Sequence, residues 1–138
     1  MPNYTSESIR TIALVGHGAS GKTSLAEAIL HAAGSIQQMG VVEKGNTICD
    51  FDPLEKTAGH SLYSAIAHCE YENTRIHLLD TPGYPDFAGQ AIAALAAVDA
   101  ILLVINAQAG IELMTERMMR WARERQLCTI IVVNKIDA

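Results

Sequence analysis

The sequence predicts an α/β fold built on a mainly parallel sheet, and three observations carry that reading. Segments with strand and helix patterning alternate along the 138 residues, which is how strand–helix–strand units announce a parallel sheet. Ala100-Ile101-Leu102-Leu103-Val104-Ile105 is an unbroken apolar run, typical of a strand buried on both faces. A glycine-rich turn from Gly16 to Gly21 separates an apolar stretch from an amphipathic one, the junction of a strand and the helix that follows it. With 49% of its residues hydrophobic, the chain can bury the core of one compact domain.

Taken in order, a polar arm of about ten residues precedes the first strand, Thr11 to Val15. The first helix is expected over Ser24 to Ala33, with Leu25, Ile29, Ala32 and Ala33 on its core face and Gly34 ending it. From Ser35 to about Gly59 no periodicity persists, and Gly40, Gly45, Asn46, Pro53 and Gly59 interrupt the chain. A loop of roughly 25 residues in a compact domain is usually functional or mobile. Ser61 to Cys69 and Arg75 to Leu79 read as a hairpin turning near Glu72-Asn73-Thr74. Asp80-Thr81-Pro82-Gly83 ends the second of these strands. A small-residue helix follows, with Phe87, Ala91, Leu95 and Val98 in register, and then the buried strand Ala100 to Ile105. Ile111 to Arg125 is helical with Ile111, Met114, Met118 and Ala122 inward. Its Arg117, Arg120, Arg123 and Arg125 alternate with acids and read more readily as a solvated face than as a basic docking surface. Thr129 to Val133 is the last strand.

Three stretches carry chemistry. Gly16-His17-Gly18-Ala19-Ser20-Gly21-Lys22-Thr23 fits Gly-x-x-x-x-Gly-Lys-[Ser/Thr] in its confirming context, after a strand and before a helix. In such a loop the backbone N–H groups from His17 to Ser24 wrap a phosphate beside the positive end of the helix. Lys22 reaches the outer phosphates, and the Thr23 hydroxyl suits Mg²⁺. Asp80 closes a strand, and ligands of such sheets bind beyond the carboxyl ends of strands, so its carboxylate can enter the same pocket and hold Mg²⁺. Gly83 offers an N–H to the terminal phosphate and a hinge for the segment. Asn134-Lys135-Ile136-Asp137 follows another strand at the same end. The Asp137 carboxylate can accept both the N1–H and N2–H₂ of guanine, a match adenine lacks. Asn134 suits N7 and nearby backbone, and the Lys135 stem suits the plane of the base. Each of the two shorter stretches also reads as an ordinary turn or helix cap; together with the first they point to a guanine nucleotide.

Composition narrows the class further. A net charge of −5 with 5% aromatic residues gives no basic field and no stacking platform for nucleic acid, so direct DNA binding is not expected. The longest apolar run is too short to cross a bilayer, and no membrane association is expected. Three scattered cysteines, Cys49, Cys69 and Cys128, fit reduced thiols in a cytoplasmic protein. His68, Cys69 and His77 could suggest a metal site, but consecutive strand residues point to opposite faces.

On these motifs the chain resembles the GTP-binding domain of translational GTPases, most closely that of elongation factor G and its divergent relatives. Asp50-Phe51-Asp52-Pro53-Leu54-Glu55-Lys56, Leu79 to Phe87, and Thr115-Glu116-Arg117 carry the likeness beyond the three motifs. The resemblance implies a three-layer P-loop domain with sheet order 2-3-1-4-5 and one antiparallel edge strand. It also implies GTP and GDP as substrate and product, Mg²⁺ as cofactor, and a conformational change in ribosomal translocation in a longer parent protein. Residues 35–60 correspond to the first switch and 81–90 to the second. Ser61 takes the place of the family's Mg²⁺-binding threonine, beside Thr23 and Asp80. Lys22, Gly83 and Tyr84 take the catalytic positions.

Three departures accompany the likeness. Ala19 replaces an aspartate tied to a monovalent-cation site. Tyr84 stands where the family has the histidine that orients the attacking water, so slow intrinsic hydrolysis is expected. The family continues past the position of Ala138 with a further strand, a closing helix and more domains, so residues 1–138 read as a fragment whose open sheet edge invites self-association. The rival readings are a GTP-dependent ribosome-binding switch with little hydrolysis, a ribosomal protection or release-factor GTPase, and, more distantly, a P-loop ATPase.

Overall fold

The computed structural model describes residues 4–137, and its strands form one five-stranded sheet. The strands are β1 (Ile9–Val15), β2 (Ala65–Tyr71), β3 (Thr74–Asp80), β4 (Ala100–Asn106) and β5 (Cys128–Asn134). The helices are α1 (Lys22–Ala32), α2 (Pro53–Ala58), α3 (Ala88–Leu95) and α4 (Leu113–Glu124). Sheet order is β2-β3-β1-β4-β5. β1 runs parallel to β3 and β4, β4 runs parallel to β5, and only β2 and β3 are antiparallel. The expected order and the expected antiparallel edge strand are both present.

Alternation along β1 divides the core in two. Ala13 and Val15 face the layer made by α3 and α4, where they meet Leu79, Ala91, Leu95, Ile101, Leu103, Met114, Met118 and Ala122. Leu14 faces the other way, into a layer with Ala26, Leu30, Cys49, Ala65, Ala67, Cys69 and Leu78. Successive strand residues point to opposite faces, so three consecutive residues of β1 anchor both layers. The strand is locked in register at its start by Asp99, whose Oδ2 accepts Thr11 N–H at 2.8 Å and whose own N–H donates to Thr11 O.

Three sequence expectations are corrected here. On α1 the fully buried positions are Ala26, Glu27 and Leu30, while Leu25 and Ile29 are half-buried and Ala32 is exposed. Leu25, Ile29 and Ala33 still pack against the core around Leu14, so the inward stripe is wider than expected and takes in a buried carboxylate, with only Ala32 left outside it. The stretch from Ser35 to Gly59 is not featureless. It holds a single 3₁₀ turn at Val42–Lys44 and the helix α2. Asp52 caps α2 by accepting Leu54 N–H at 2.8 Å, Glu55 returns to Asp52 N–H, and Pro53 opens the first turn. That capping box with proline at the first helical position is a readable start signal. Ile111 lies outside α4 and is 71% exposed, whereas Met114, Met118 and Ala122 are buried as expected.

The hairpin turn carries Glu72 and Asn73 at φ +45° and +62°, the two left-handed residues that suit the twist of a two-residue connection. His68 is exposed and the adjacent Cys69 buried, each on its own face of β2. Among the described residues no helix is long and apolar enough to cross a membrane.

Candidate functional site

The carboxyl ends of β1, β3, β4 and β5 lie along one edge of the sheet, and the three motifs follow directly from them. Gly16-to-Gly21 leaves β1, Thr81-to-Gly83 leaves β3, and Lys135-to-Asp137 leaves β5. Residues far apart in sequence therefore line one cavity of about 210 Å³, bordered by Gly18, Lys22, Thr23, Ser61, Gly83, Tyr84 and Lys135, among others.

The glycine-rich turn has the backbone its sequence demands. Gly16 and Gly21 take φ +144° and +91°, and Ala19 is held at φ +58°, a left-handed conformation that costs an alanine about 1–2 kcal/mol. Gly21 precedes the first turn of α1, so the helix N-terminus opens onto the cavity. The Lys22 ammonium folds back over the turn and donates to His17 O at 2.8 Å. The closeness of the next wall is set by Gly83. A side-chain carbon there would collide with Lys22 Nζ and would lie 2.6 Å from Gly18 N. Only glycine lets this backbone approach the turn and the lysine together.

Oxygen ligands converge below the lysine. Thr23 Oγ1 donates to Asp80 Oδ2 at 2.6 Å and lies 3.3 Å from Ser61 Oγ. Asp80 Oδ1 is buried with no hydrogen-bond partner. An orphaned carboxylate oxygen beside two hydroxyls is a donor set of hard oxygens that fits Mg²⁺. When bound, such an ion neutralises charge on the outer phosphate oxygens. Burial raises the Asp80 carboxyl from its ordinary 3.8 to about 6, against the opposing pull of the Thr23 hydroxyl and the Lys22 ammonium. Burial also lowers Lys22 from 10.5 to about 8, with Asp80 and Glu112 resisting. Both groups are thus held in a site that disfavours their charged forms, burial outweighing the opposite charges beside them.

Three further carboxylates fold the segment between α1 and β2; Asp50 and Glu55 belong to a stretch that carries the family likeness, but the sequence reading assigned none of the three this role. Glu27, buried on α1, accepts Gly40 N–H at 2.7 Å and Ile48 N–H at 2.6 Å. Glu55 accepts the N–H groups of Leu62 and Tyr63 at 2.9 and 3.0 Å. Asp50 accepts the Ser61 hydroxyl at 3.0 Å and the Thr47 hydroxyl at 2.8 Å. A serine that donates its proton to Asp50 keeps its lone pairs for a cation. Acidic residues are normally read as solvent-facing, so only the Asp52–Glu55 capping spacing hinted at any of this.

The third motif meets the first through Asn134, whose amide donates to Ser20 O at 3.0 Å. A side-chain carbon at Gly21 would collide with that amide. Asp137 is exposed beyond β5, and Lys135 takes a left-handed φ of +58°. Tyr84 lies over Gly18, edge-on to His60 with ring centroids 4.7 Å apart and farther from His17, at 6.4 Å. His17 Nε2 is 3.4 Å from Glu112 Oε1.

A parallel sheet of this order, with a phosphate-type loop after its first strand and an oxygen cluster after its third, defines a P-loop nucleotide-binding domain. Residues 7–138 match the model of the elongation factor Tu GTP binding domain, and the chain belongs to that family. It is 36% identical over 129 residues to elongation factor G 2 of Streptomyces coelicolor, covering 94% of this chain and 19% of that protein. It is 35% identical over 129 residues to the tetracycline resistance protein TetW of Butyrivibrio fibrisolvens, covering 94% of this chain and 20% of the relative. A Thermus thermophilus protein of known crystal structure superimposes with a TM-score of 0.91 at 42% identity, over 94% of this chain and 20% of that one. The chain spans about a fifth of the length of these relatives.

Proposed function

We infer that this domain binds GTP and GDP with Mg²⁺ and hydrolyses GTP slowly, as the nucleotide switch of a longer cytoplasmic, ribosome-associated translation factor. The observation that carries the reading is the convergence of Lys22, Thr23, Ser61, Asp80 and Gly83 at one edge of the sheet. The N–H groups from His17 to Ser24 hold the phosphates, and Lys22 turns from His17 O to the β- and γ-phosphates. Thr23, Ser61 and Asp80 take the metal. Gly83 N–H meets the γ-phosphate, and residues 81–90 form the second switch. Residues 35–60 form the first, ordered through Glu27, Asp50 and Glu55. Asn134, Lys135 and Asp137 receive the guanine.

In this reading hydrolysis drives the conformational change of ribosomal translocation. A second reading, a switch that binds the ribosome with GTP and scarcely hydrolyses it, is favoured by Tyr84. This residue is packed on Gly18 and brings no imidazole to the cavity. The likeness to TetW keeps a ribosomal-protection role open for the parent protein. Single-turnover assays with γ-labelled GTP and ATP, with and without ribosomes, test the assignment. GTP turnover near the unassisted rate of small GTPases, about 3 × 10⁻⁴ per second, and no ATP turnover is the expected result. Equal use of ATP contradicts it.

A further inference from the structure

Building on the GTPase reading above, we propose that His60, from the first switch, holds the attacking water, and that Tyr84 serves as the wall against which His60 is positioned. Both residues line the cavity, and their rings pack edge-on, centroids 4.7 Å apart and 61° between planes. They are not equivalent. Tyr84 is pinned on Gly18: a side-chain carbon there would come within 2.7 Å of Tyr84 Cε1 and Cζ. The tyrosine thus fills the space that glycine leaves empty, and its hydroxyl-bearing end is the part pressed nearest the turn. His17 and His60 flank the ring.

His60 has the opposite character. It is half-buried, and its Nδ1 lies 3.4 Å from Ser61 O. A carbonyl can only accept, so this contact suits the neutral tautomer that bears its hydrogen on Nδ1, and in that tautomer Nε2 keeps its lone pair. A water about to attack phosphorus needs an acceptor for one of its hydrogens, and the imidazole of His60, which lines the cavity, can provide one through Nε2. His60 is also adjacent to Ser61, whose hydroxyl is 3.3 Å from Thr23 Oγ1. The contacts that hold Ser61 at the oxygen cluster therefore also hold its neighbour His60 beside the cavity.

In the step itself the water oxygen bonds to the γ-phosphorus as the bond from that phosphorus to the β–γ bridging oxygen breaks. The electron pair of that bond stays on the β-phosphate of GDP. One proton of the water passes to a γ-phosphoryl oxygen, giving inorganic phosphate, and His60 ends in the state in which it began.

The test uses the 138-residue chain and three variants, His60→Ala, His60→Gln and His60→Ala/Tyr84→His. Fluorescent GDP is titrated with and without aluminium fluoride, and γ-labelled GTP is followed in single turnover. His60→Ala should keep its GDP affinity within about twofold, lose the affinity gained with aluminium fluoride, and slow hydrolysis at least about tenfold. His60→Gln restores an acceptor, and Tyr84→His supplies an imidazole from the facing lip, so both should recover most of each loss. A His60→Ala variant that keeps the aluminium fluoride effect and hydrolyses as wild type does overturns the proposal and leaves the GTPase reading intact. A wild-type chain that binds GDP but gains nothing from aluminium fluoride overturns it equally. Failure of the wild-type chain to bind GDP at all removes the GTPase reading and this proposal together.

Discussion

Asp80 is the residue on which burial and function pull hardest against each other. Its carboxyl is raised from 3.8 to about 6 in the folded chain, with desolvation as the main cause. A raised value means that Asp80 favours folding when protonated, an advantage complete below about pH 4 and lost as pH rises through about 6. Lys22 has the opposite sign. Lowered to about 8, it favours folding only when neutral, and that advantage is lost as pH falls through about 8. Between those values the nucleotide-free chain holds two buried charges that a metal and a triphosphate would complement. Asp80→Asn should therefore raise nucleotide-free stability at pH 7 by about 1–3 kcal/mol. It should also flatten the pH dependence between about 4 and 6 and abolish the Mg²⁺-dependent part of nucleotide affinity, read by denaturant unfolding and metal titration. A variant less stable at neutral pH would show that the carboxylate already has its partner. At the other end of the site, Asp137→Asn should shift preference from guanine to xanthine nucleotides, because an amide can donate to the 2-oxo group of xanthine. Unchanged preference in paired titrations of fluorescent GDP and XDP would count against a base contact at Asp137.

The element that the sequence conceals is the segment between α1 and β2. The motifs that flank it in the chain are legible, since Lys22 and Thr23 at the start of α1 and Asp80 at the end of β3 follow from spacing and context alone. Its interior is not. Glu27, Asp50 and Glu55 are buried at 1–2% exposure, and a single sequence gives no sign that an acid serves as a scaffold for backbone N–H groups. Glu27 on α1 escapes the sequence for the same reason, since hydrophobic periodicity places Leu25, Ile29 and Ala33 against the core but does not assign an acid to an inward position. The strand Ala100 to Ile105 and the buried Met114, Met118 and Ala122 of α4 are readable because apolar residues define them, and the hairpin because Glu72-Asn73-Thr74 marks its turn. A consequence follows for the loop. Glu27→Ala leaves Gly40 and Ile48 N–H without their acceptor, and losing two charge-assisted bonds should cost about 2–4 kcal/mol. Limited proteolysis should then cut between residues 40 and 63 first. A variant as resistant as wild type would mean that these contacts do not hold the segment.

At the scale of the molecule, β5 is the edge strand of the sheet among the described residues; it pairs with β4 and leaves Ile130, Ile131 and Val133 each more than half exposed. An apolar strand with a free edge is a template for another chain. The 138-residue chain should accordingly sediment as a concentration-dependent mixture, and Ile131→Lys should shift it toward monomer; a wild-type monomer independent of concentration would contradict this. In the proposed function the whole domain has a single property, a guanine-nucleotide site formed by its three loops around a metal. Thermal unfolding of the intact chain with Mg²⁺ and saturating GDP, set beside ADP at equal concentration, measures that property directly. A ligand at a hundredfold its dissociation constant adds about 2.7 kcal/mol, so Mg²⁺ and GDP should raise the melting temperature by roughly 10 °C, with ADP adding almost nothing. An equal shift with ADP, or none with millimolar GDP, would contradict it.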